Sequence, residues 1–419
     1  MLLVLFYFIR CDSLTFKNKK NLTKLMVKEE MNCKKNINDI IIKNISVIGY
    51  QAFFKCSSLI SISFQEPLIL TTIEDDAFQE CKELKSISIP YSIKKIESCA
   101  FQNCSSLINV TFQEPSNLTE IGWFAFSDCK KLKSISIPSS VQIINIGAFQ
   151  NCSSLISVSF QEPSNLTKIG WFAFQECKEL KSISIPSSVQ IIKIGAFQNC
   201  SSLISVSFQE PSSLTKTGLS IFQDCDNLKS ISIPSSVQII ESSTFQKCSS
   251  LTSISFQEPS NLTKIGEQSF SNCINLKTIE LPSQVKEIES YSFEGCTKLE
   301  SLIILSNISE IKDYAFFDCS SLSCISYYGL DEPIVSQNAF QGCNKLDNIF
   351  TSLTYSSEKI GSFNVTKISD ISHVCRPIDS SNHLKIACVV IFSIVFICII
   401  LYFTVFKRMK NKKQYEITP

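Results

Sequence analysis

From about residue 42 to about residue 351 the apolar positions of the chain keep one rhythm. A Phe, usually behind Ala, is followed by Cys three residues on, Leu at six, Ile or Val at nine and Phe or Ile at eleven. The Phe recurs at Phe53, Phe78, Phe101, Phe126, Phe149, Phe174, Phe197, Phe222, Phe245, Phe270, Phe293, Phe316 and Phe340, in steps that alternate 25 and 23 and close with 23 and 24. Within each period LKSISIP or LISVSF alternates apolar with small polar residues, which predicts a strand with one face buried. Pro90, Pro138, Pro186, Pro234 and Pro282 stop that strand, because a proline has no N–H for the ladder. IGAFQNC and IGWFAFQEC are too short and irregular for a long helix; they predict one turn of helix or 3₁₀ holding Phe and Cys inward. The two extra residues of the longer steps follow the closing Phe, where FQEPSNLT replaces IPSSVQ, and so mark a surface loop.

Residues 117–164 recur almost unchanged as residues 165–212, with five differences, at Glu120/Lys168, Ser127/Gln175, Asp128/Glu176, Lys131/Glu179 and Asn145/Lys193. Such self-similarity is the signature of a stacked array. One coil cannot stand alone. Its roughly six buried side chains contribute about 1.5–3 kcal/mol each, against about 1–2 kcal/mol of backbone entropy for every ordered residue. Stacking supplies a second apolar face and shared sheet hydrogen bonds, so stability belongs to neighbours. At about 4.8 Å between strands the thirteen coils span on the order of 60 Å.

The stretch LKSISIPSSVQIIKIGAFQNCSSL resembles the BspA or Treponema type of leucine-rich repeat, with its L-x-x-I-x-I-P…I-G-x-x-A-F-x-x-C signature. The resemblance covers about Ile42 to Thr351. It implies an α/β-type repeat solenoid: a leucine-rich repeat superhelix of 13 coils of 23–25 residues, with a parallel sheet on the concave face. It also implies a cell-surface protein, in a family where several members are adhesins for host proteins or other cells. Four positions depart from the pattern. Thr217 replaces Ile, Cys99 replaces Gly, and Tyr327 and Thr351 stand where the closing apolar residue belongs, marking the last coils as a degenerating end.

The flanks have a different character. Met1–Ile9 is apolar enough for a signal-peptide core, which assigns residues 1–12 to that role; a hydrophobic strand is the alternative. Residues 13–41 read as a polar leader or cap, with seven lysines between Lys17 and Lys35. Residues 42–351 are the solenoid, and 352–385 a terminal cap and juxtamembrane stalk. Residues 386–406 carry no charge over 21 positions, long enough as one C-terminal transmembrane helix for a hydrocarbon core of about 30 Å. Lys407, Arg408, Lys410, Lys412 and Lys413 follow, while Lys385 alone lies close on the other side. That bias expects the tail, 407–419, in the cytoplasm and the repeats outside a plasma membrane, as in a single-pass type I-like protein. Tyr415 is a candidate phosphosite in the tail.

Net charge is +1 and charged residues make up 18% of the chain, which leaves no electrostatic footprint for nucleic acid. Of 20 cysteines, thirteen occupy one column, Cys56 through Cys343, where a small hydrophobe packs well; they read as free buried thiols. Cys11, Cys33, Cys324 and Cys375 are the disulfide candidates, and Cys388 and Cys398 fall in the membrane span. Only two histidines occur, His373 and His383, both outside the repeats, and no phosphate loop, carboxylate pair or metal-ligand cluster is present. The expectation is a binding protein without cofactor, not an enzyme. Among eleven N-x-S/T sequons, Asn117, Asn165 and Asn261 lie in the EPSNLT loop and are the glycosylation candidates; Asn103, Asn151 and Asn199 sit beside the buried Cys, where a glycan fits poorly.

The outward strand positions form the candidate ligand surface: Ser134, Ser136, Ser157, Ser159, Ser182, Ser184, Ser205, Ser207, Ser230 and Ser232, a field of hydroxyls nearly free of charge. Without aromatic or Arg anchors such a lattice suits weak, multivalent attachment to an extracellular protein or glycan, or to a second copy. The chemistry changes toward Thr278, Glu280, Tyr327 and Tyr328, where a specific epitope is expected. Two alternatives stand beside adhesion: a structural surface coat whose repeat number matters more than any ligand, and a receptor signalling through Tyr415.

Overall fold

Alternation becomes pleat where the serine–isoleucine runs fall. In Ser134–Ile137, Ser182–Ile185 and Ser230–Ile233 the serines are exposed and the isoleucines buried. The computed structural model describes residues 38–376 together with the strands Ser13–Lys17 and Asn21–Leu22. The signal-peptide residues 1–12, the apolar span 386–406 and the tail with Tyr415 lie outside the described residues, as do Cys11 and Cys33. The chain divides into two units, Met1–Val374, which holds the solenoid, and Cys375–Pro419. Among the described residues no helix is long and apolar enough to cross a membrane.

Each coil contributes a long strand, a turn, a two-residue strand and a tight Phe–Cys turn, and about 14 such turns build the solenoid. The long strands pair in parallel into an 11-stranded sheet and into five strands of a 6-stranded one, whose sixth is the antiparallel Lys359–Ile360; the short ones form an 8-stranded and a 5-stranded sheet. The array reaches further toward the N terminus than the pattern placed it. Ser13–Lys17 pairs in register with Asp39–Lys43, and Asn21–Leu22 with Val47–Ile48, so part of the expected leader is a further coil. The lysine-rich composition hid it, because its apolar positions are too few to show the period.

The Phe–Cys turn is not helical either. Two left-handed residues flank each Phe from Phe53 to Phe316, for example Phe124 (φ 53°) and Asp128 (φ 59°) around Phe126, and this backbone cannot continue a helix. Alternate amides leave the turn and bond the next coil: Phe124 N–H donates to the Ile146 carbonyl, Phe126 to Ala148 and Asp128 to Gln150, at 2.8–2.9 Å. A third ladder therefore runs along the Phe side, and glutamines beside it, Gln175 to Gln198 and Gln198 to Gln223, bond one coil to the next.

The core is a column of rings. From Phe53 to Phe340 neighbouring phenyls stack nearly parallel, with centroids 4.9 Å apart at Phe53–Phe78 and 5.2 Å at Phe149–Phe174. Leu, Ile and Cys columns close around them. The long-strand ladder follows the step length. Across 23-residue steps four residues pair, as in Ser134–Ile137 with Ser157–Phe160; across the next, 25-residue step, only Ser157 and Ser182 do. The two inserted residues carry the chain away after the first pair. At the C-terminal end Tyr327 is fully buried, its hydroxyl donating to the Asp331 carbonyl (2.8 Å) and its ring edge-on to Tyr355. The position read as degenerate is thus a core aromatic. Lys359–Ile360 then doubles back against Phe363–Ile368, closing the ladder among the described residues.

Candidate functional site

Two surfaces compete for a functional role. The first is the outward face of the long strands. All ten serines from Ser134 to Ser232 are exposed, and Ser134, Ser157, Ser182, Ser205 and Ser230 are partners in register across successive strands. Adjacent hydroxyls on that column are about 4.8 Å apart. The second column, Ser136, Ser159, Ser184, Ser207 and Ser232, is paired only within each two-coil unit, because the ladder lapses between units. The result is a row of hydroxyl pairs without a fixed charge.

Toward the C terminus this face closes. Thr278 is half-buried and Glu280 exposed, but the outward Ser301, Ile303 and Ser326 are buried. Tyr327 points into the core and Tyr328 is half-buried, so the structure does not join the four expected epitope residues into one exposed patch. The Val374 carbonyl lies 3.8 Å from Cys324 Sγ, which places the chain after the last strand against this face. The hydroxyls of Ser301 and Ser326 have no hydrogen-bond partner there. Cys324 and Cys375 each carry a disulfide.

The cysteine column is inert. All thirteen are buried, and each thiol from Cys81 onward donates to the carbonyl of the preceding coil's Phe, as Cys129 does to Phe101 at 3.3 Å. Burial pushes the Cys104 and Cys200 thiols up to about 12, so neither is a nucleophile at neutral pH. Cys99, left-handed and half-buried, is held up at about 11 by desolvation, then by Asp76 and Asp75. Among the described residues no cluster of three His, Cys, Asp or Glu is placed to hold a metal.

The second surface was visible in the sequence only as the odd residue Thr217. Here the short-strand ladder is interrupted. In the preceding unit Thr167 N–H donates to Gln142 O (2.9 Å), Gly170 N–H to Ile144 O (2.8 Å), and Ile143–Ile144 pairs with Lys168–Ile169. The equivalent Thr215 and Gly218 make no such bonds, and Ile191–Ile192 has no partner strand beyond it. Toward the following coil Thr217 stays bonded, with its hydroxyl added to the ladder. Its amide donates to Ile239 O (3.2 Å), and its hydroxyl accepts Glu241 N–H (2.8 Å) and meets Thr244 Oγ1 (3.1 Å). One unit earlier the equivalent Lys193 N–H donates to the Ile169 carbonyl (2.9 Å), since isoleucine has no hydroxyl to capture it. The interruption is bounded: Ser213 to Ser187 and Gly195 to Leu219 are bonded as usual on either side. Beside it lies a surface groove of about 510 Å³, whose lining includes Lys193, Lys216 and Glu241. Its walls are Trp171, Ile191, Ile194 and Leu219, each between 37% and 44% exposed. Column alignment of the duplicated units would have shown it, since Thr217 and Leu219 stand where Ile169 and Trp171 stand.

Stacked parallel coils, a Phe–Cys turn and a strand ended by Pro define a leucine-rich-repeat solenoid. The chain matches the family described as BspA type leucine rich repeat region (6 copies), over residues 6–81, 26–156, 71–203, 167–286 and 263–380, and it belongs to that family. Among solved structures it is similar to a leucine-rich repeat protein from Bacteroides ovatus ATCC 8483, 28% identical over 79% of this chain and 84% of that one, with a TM-score of 0.58. It is also similar to a leucine rich cell surface protein from Faecalibacterium prausnitzii A2-165 (26% identical, 68% and 83% covered, TM-score 0.35). A leucine-rich repeat protein from Eubacterium ventriosum ATCC 27560 is similar as well (22% identical, 83% and 94% covered, TM-score 0.44). No curated protein matches the chain.

Proposed function

We propose that the protein is a cell-surface adhesion or recognition protein, anchored in the plasma membrane by residues 386–406, that engages an extracellular protein or glycan through its repeat surface. The observation that carries this reading is the uncharged, exposed hydroxyl field from Ser134 to Ser232. A surface that repeats the same pair of hydroxyls along the stack favours many weak contacts over one tight one. The loop asparagines agree with an extracellular setting. Asn117, Asn165 and Asn261 are exposed in one loop column, whereas Asn151 and Asn199 have left-handed backbones and give their side-chain amides to Asp128 and Glu176.

The test uses the full chain displayed on cells, screened for attachment to immobilised matrix proteins and glycans. The triple variant S157R/S182R/S205R, which fills the face with charge, should abolish attachment, and Y415F should leave it unchanged. Attachment indifferent to the triple variant, or absent from every surface, favours a coat role. Glycosidase should increase gel mobility, and N117Q/N165Q/N261Q should remove most of that shift. No shift, together with resistance to protease on intact cells, contradicts the surface location.

A further inference from the structure

Three residues before each Phe lies a column that changes character in the middle of the solenoid. It is polar at Asp75 and Ser98, apolar at Trp123, Ile146, Trp171, Ile194 and Leu219, and polar again at Ser242 and Glu267. Trp123 is 54% exposed and Trp171 44%; Ile194 and Leu219 are exposed as well, and Ile146 is half-buried. Five successive coils therefore carry an apolar stripe about 20 Å long, at one strand spacing per coil. Scattered exposed apolar residues are ordinary, whereas a contiguous run closed by polar residues at both ends marks an interaction surface. The outward short-strand residues Ile143 and Ile191 widen it, and Ile191, Lys193 and Ile194 line one opening with Trp171.

Charge indicates what covers the stripe. In the short-strand column Glu120 stands one coil before Ile143 and Lys168 one coil after it. Two residues on, Glu97 stands two coils before Asn145 and Lys193 two coils after it. Among the described residues neither Lys168 nor Lys193 lies in an ion pair. Glu120 accepts from Asn145 (2.6 Å) and meets Lys95 at 3.7 Å, an exposed pair worth little. Burial first, then Asp75, Glu120 and Glu74, raise the Glu97 pKa, and Lys95 offsets them only in part. The face is thus acidic on one side of Ile146 and basic on the other, with Trp123 and Trp171 one coil to either side.

A two-fold axis across the coil of Ile146 reverses the order of the coils and sets each column against itself. Ile146 then meets Ile146 of the second copy, Trp123 meets Trp171, Glu120 meets Lys168 and Glu97 meets Lys193. An isologous contact makes each unlike pairing twice. The register is specific. An axis one coil further on sets Lys168 against Lys168 and Glu97 against Glu241, and one coil earlier it sets Glu120 against Glu120.

We propose that the protein pairs with a second copy of itself, antiparallel, through the short-strand face centred on Ile146. The hydroxyls from Ser134 to Ser232 lie on the long strands and take no part, so each copy keeps that face open. In an antiparallel pair the two solenoids end at opposite sides, which on anchored chains joins two cells; the pairing itself belongs to the solenoid and holds without the anchor.

The test uses the full chain solubilised in detergent. Mild oxidation of Ile146→Cys should give a disulfide-linked dimer that is absent from the parent and from Ser242→Cys, four coils along the same column. Both tryptophans of the chain lie in the contact, so dilution should shift their emission to the red. In sedimentation, Glu97→Lys and Lys193→Glu should each weaken pairing about tenfold or more. The two changes combined should restore it, which residues needed only for folding would not do. The proposal is overturned if the chain is monomeric at every concentration, if Ile146→Cys forms no dimer, or if the combined variant stays as weak as the single ones. A dimer cross-linked through Trp171→Cys and not through Ile146→Cys overturns it too. So does a chain that stays monomeric while neutral oligosaccharides shift its tryptophan emission, because the stripe would then stack sugars.

Discussion

Phe197 and Phe222 stack with centroids 5.6 Å apart and planes inclined by 13°, against 5.3 Å and 1° for Phe174 and Phe197 one coil earlier. The core thus begins to tilt at the coil of Thr217, and the inclination persists at 12° and 14° through Phe245 and Phe270. Ile221 stands in the Ala column beside it, and a Cβ on Gly218 would meet its Cγ2 at 2.8 Å. Bulk on the Phe side and a hydroxyl on the ladder side act on the same coil.

Phe174 is fully buried, its ring inclined by 6° and 1° to the rings on either side. Phe174→Ala should cost about 3–5 kcal/mol, because the neighbours cannot collapse into the space a phenyl leaves. Coils that lean on each other share the damage, so amide protection should fall in the flanking coils as well. Denaturant titration with hydrogen exchange checks both; a loss under about 1 kcal/mol would mean the rings are not the spine.

The thiols offer a second check. In the folded chain Cys104, Cys152 and Cys200 should resist iodoacetamide at neutral pH and react only after denaturant is added, since burial both shields them and holds them protonated. Cys99 should be alkylated before any of them. Mass spectrometry of a pulse-labelled sample resolves the order. Early labelling of the whole column would contradict the packing.

Acid should act at Glu289. Burial tends to raise its pKa, but hydrogen bonds from Lys264 and Lys312 (2.9 Å) outweigh that and hold it below its ordinary value of about 4.5. A carboxyl with a lower pKa folded than unfolded contributes stability that is complete above its ordinary pKa and is lost as pH falls through the folded value. The urea midpoint should therefore drop below about pH 4.5, and Glu289→Gln should shrink that acid-side drop while lowering the midpoint at neutral pH. An unchanged acid profile in the variant would remove Glu289 as its cause.

Much of the fold lay open in the sequence because the period exposes it. The Phe column, the inward Ile and outward Ser of SISI, and the loop at FQEPSN fall where the pattern put them. What stayed hidden has a physical reason in each case. Backbone handedness at Phe124 and Asp128 leaves no mark in side-chain polarity, so a tight turn passed for helix. The strand at Ser13–Lys17 carries too few apolar residues to announce itself. Tyr327 looked like a surface aromatic because its partner Tyr355 lies beyond the repeat. The missing ladder bonds of Thr215 and Gly218 are a matter of hydrogen-bond geometry that composition does not carry.

Hydrogen exchange at four amides tests the interrupted ladder most directly. Thr167 and Gly170 donate to the previous coil and should be strongly protected in the folded chain. Thr215 and Gly218, their counterparts one unit on, should exchange faster by about two orders of magnitude or more. Equal protection at the two pairs would mean that the ladder runs unbroken past Thr217.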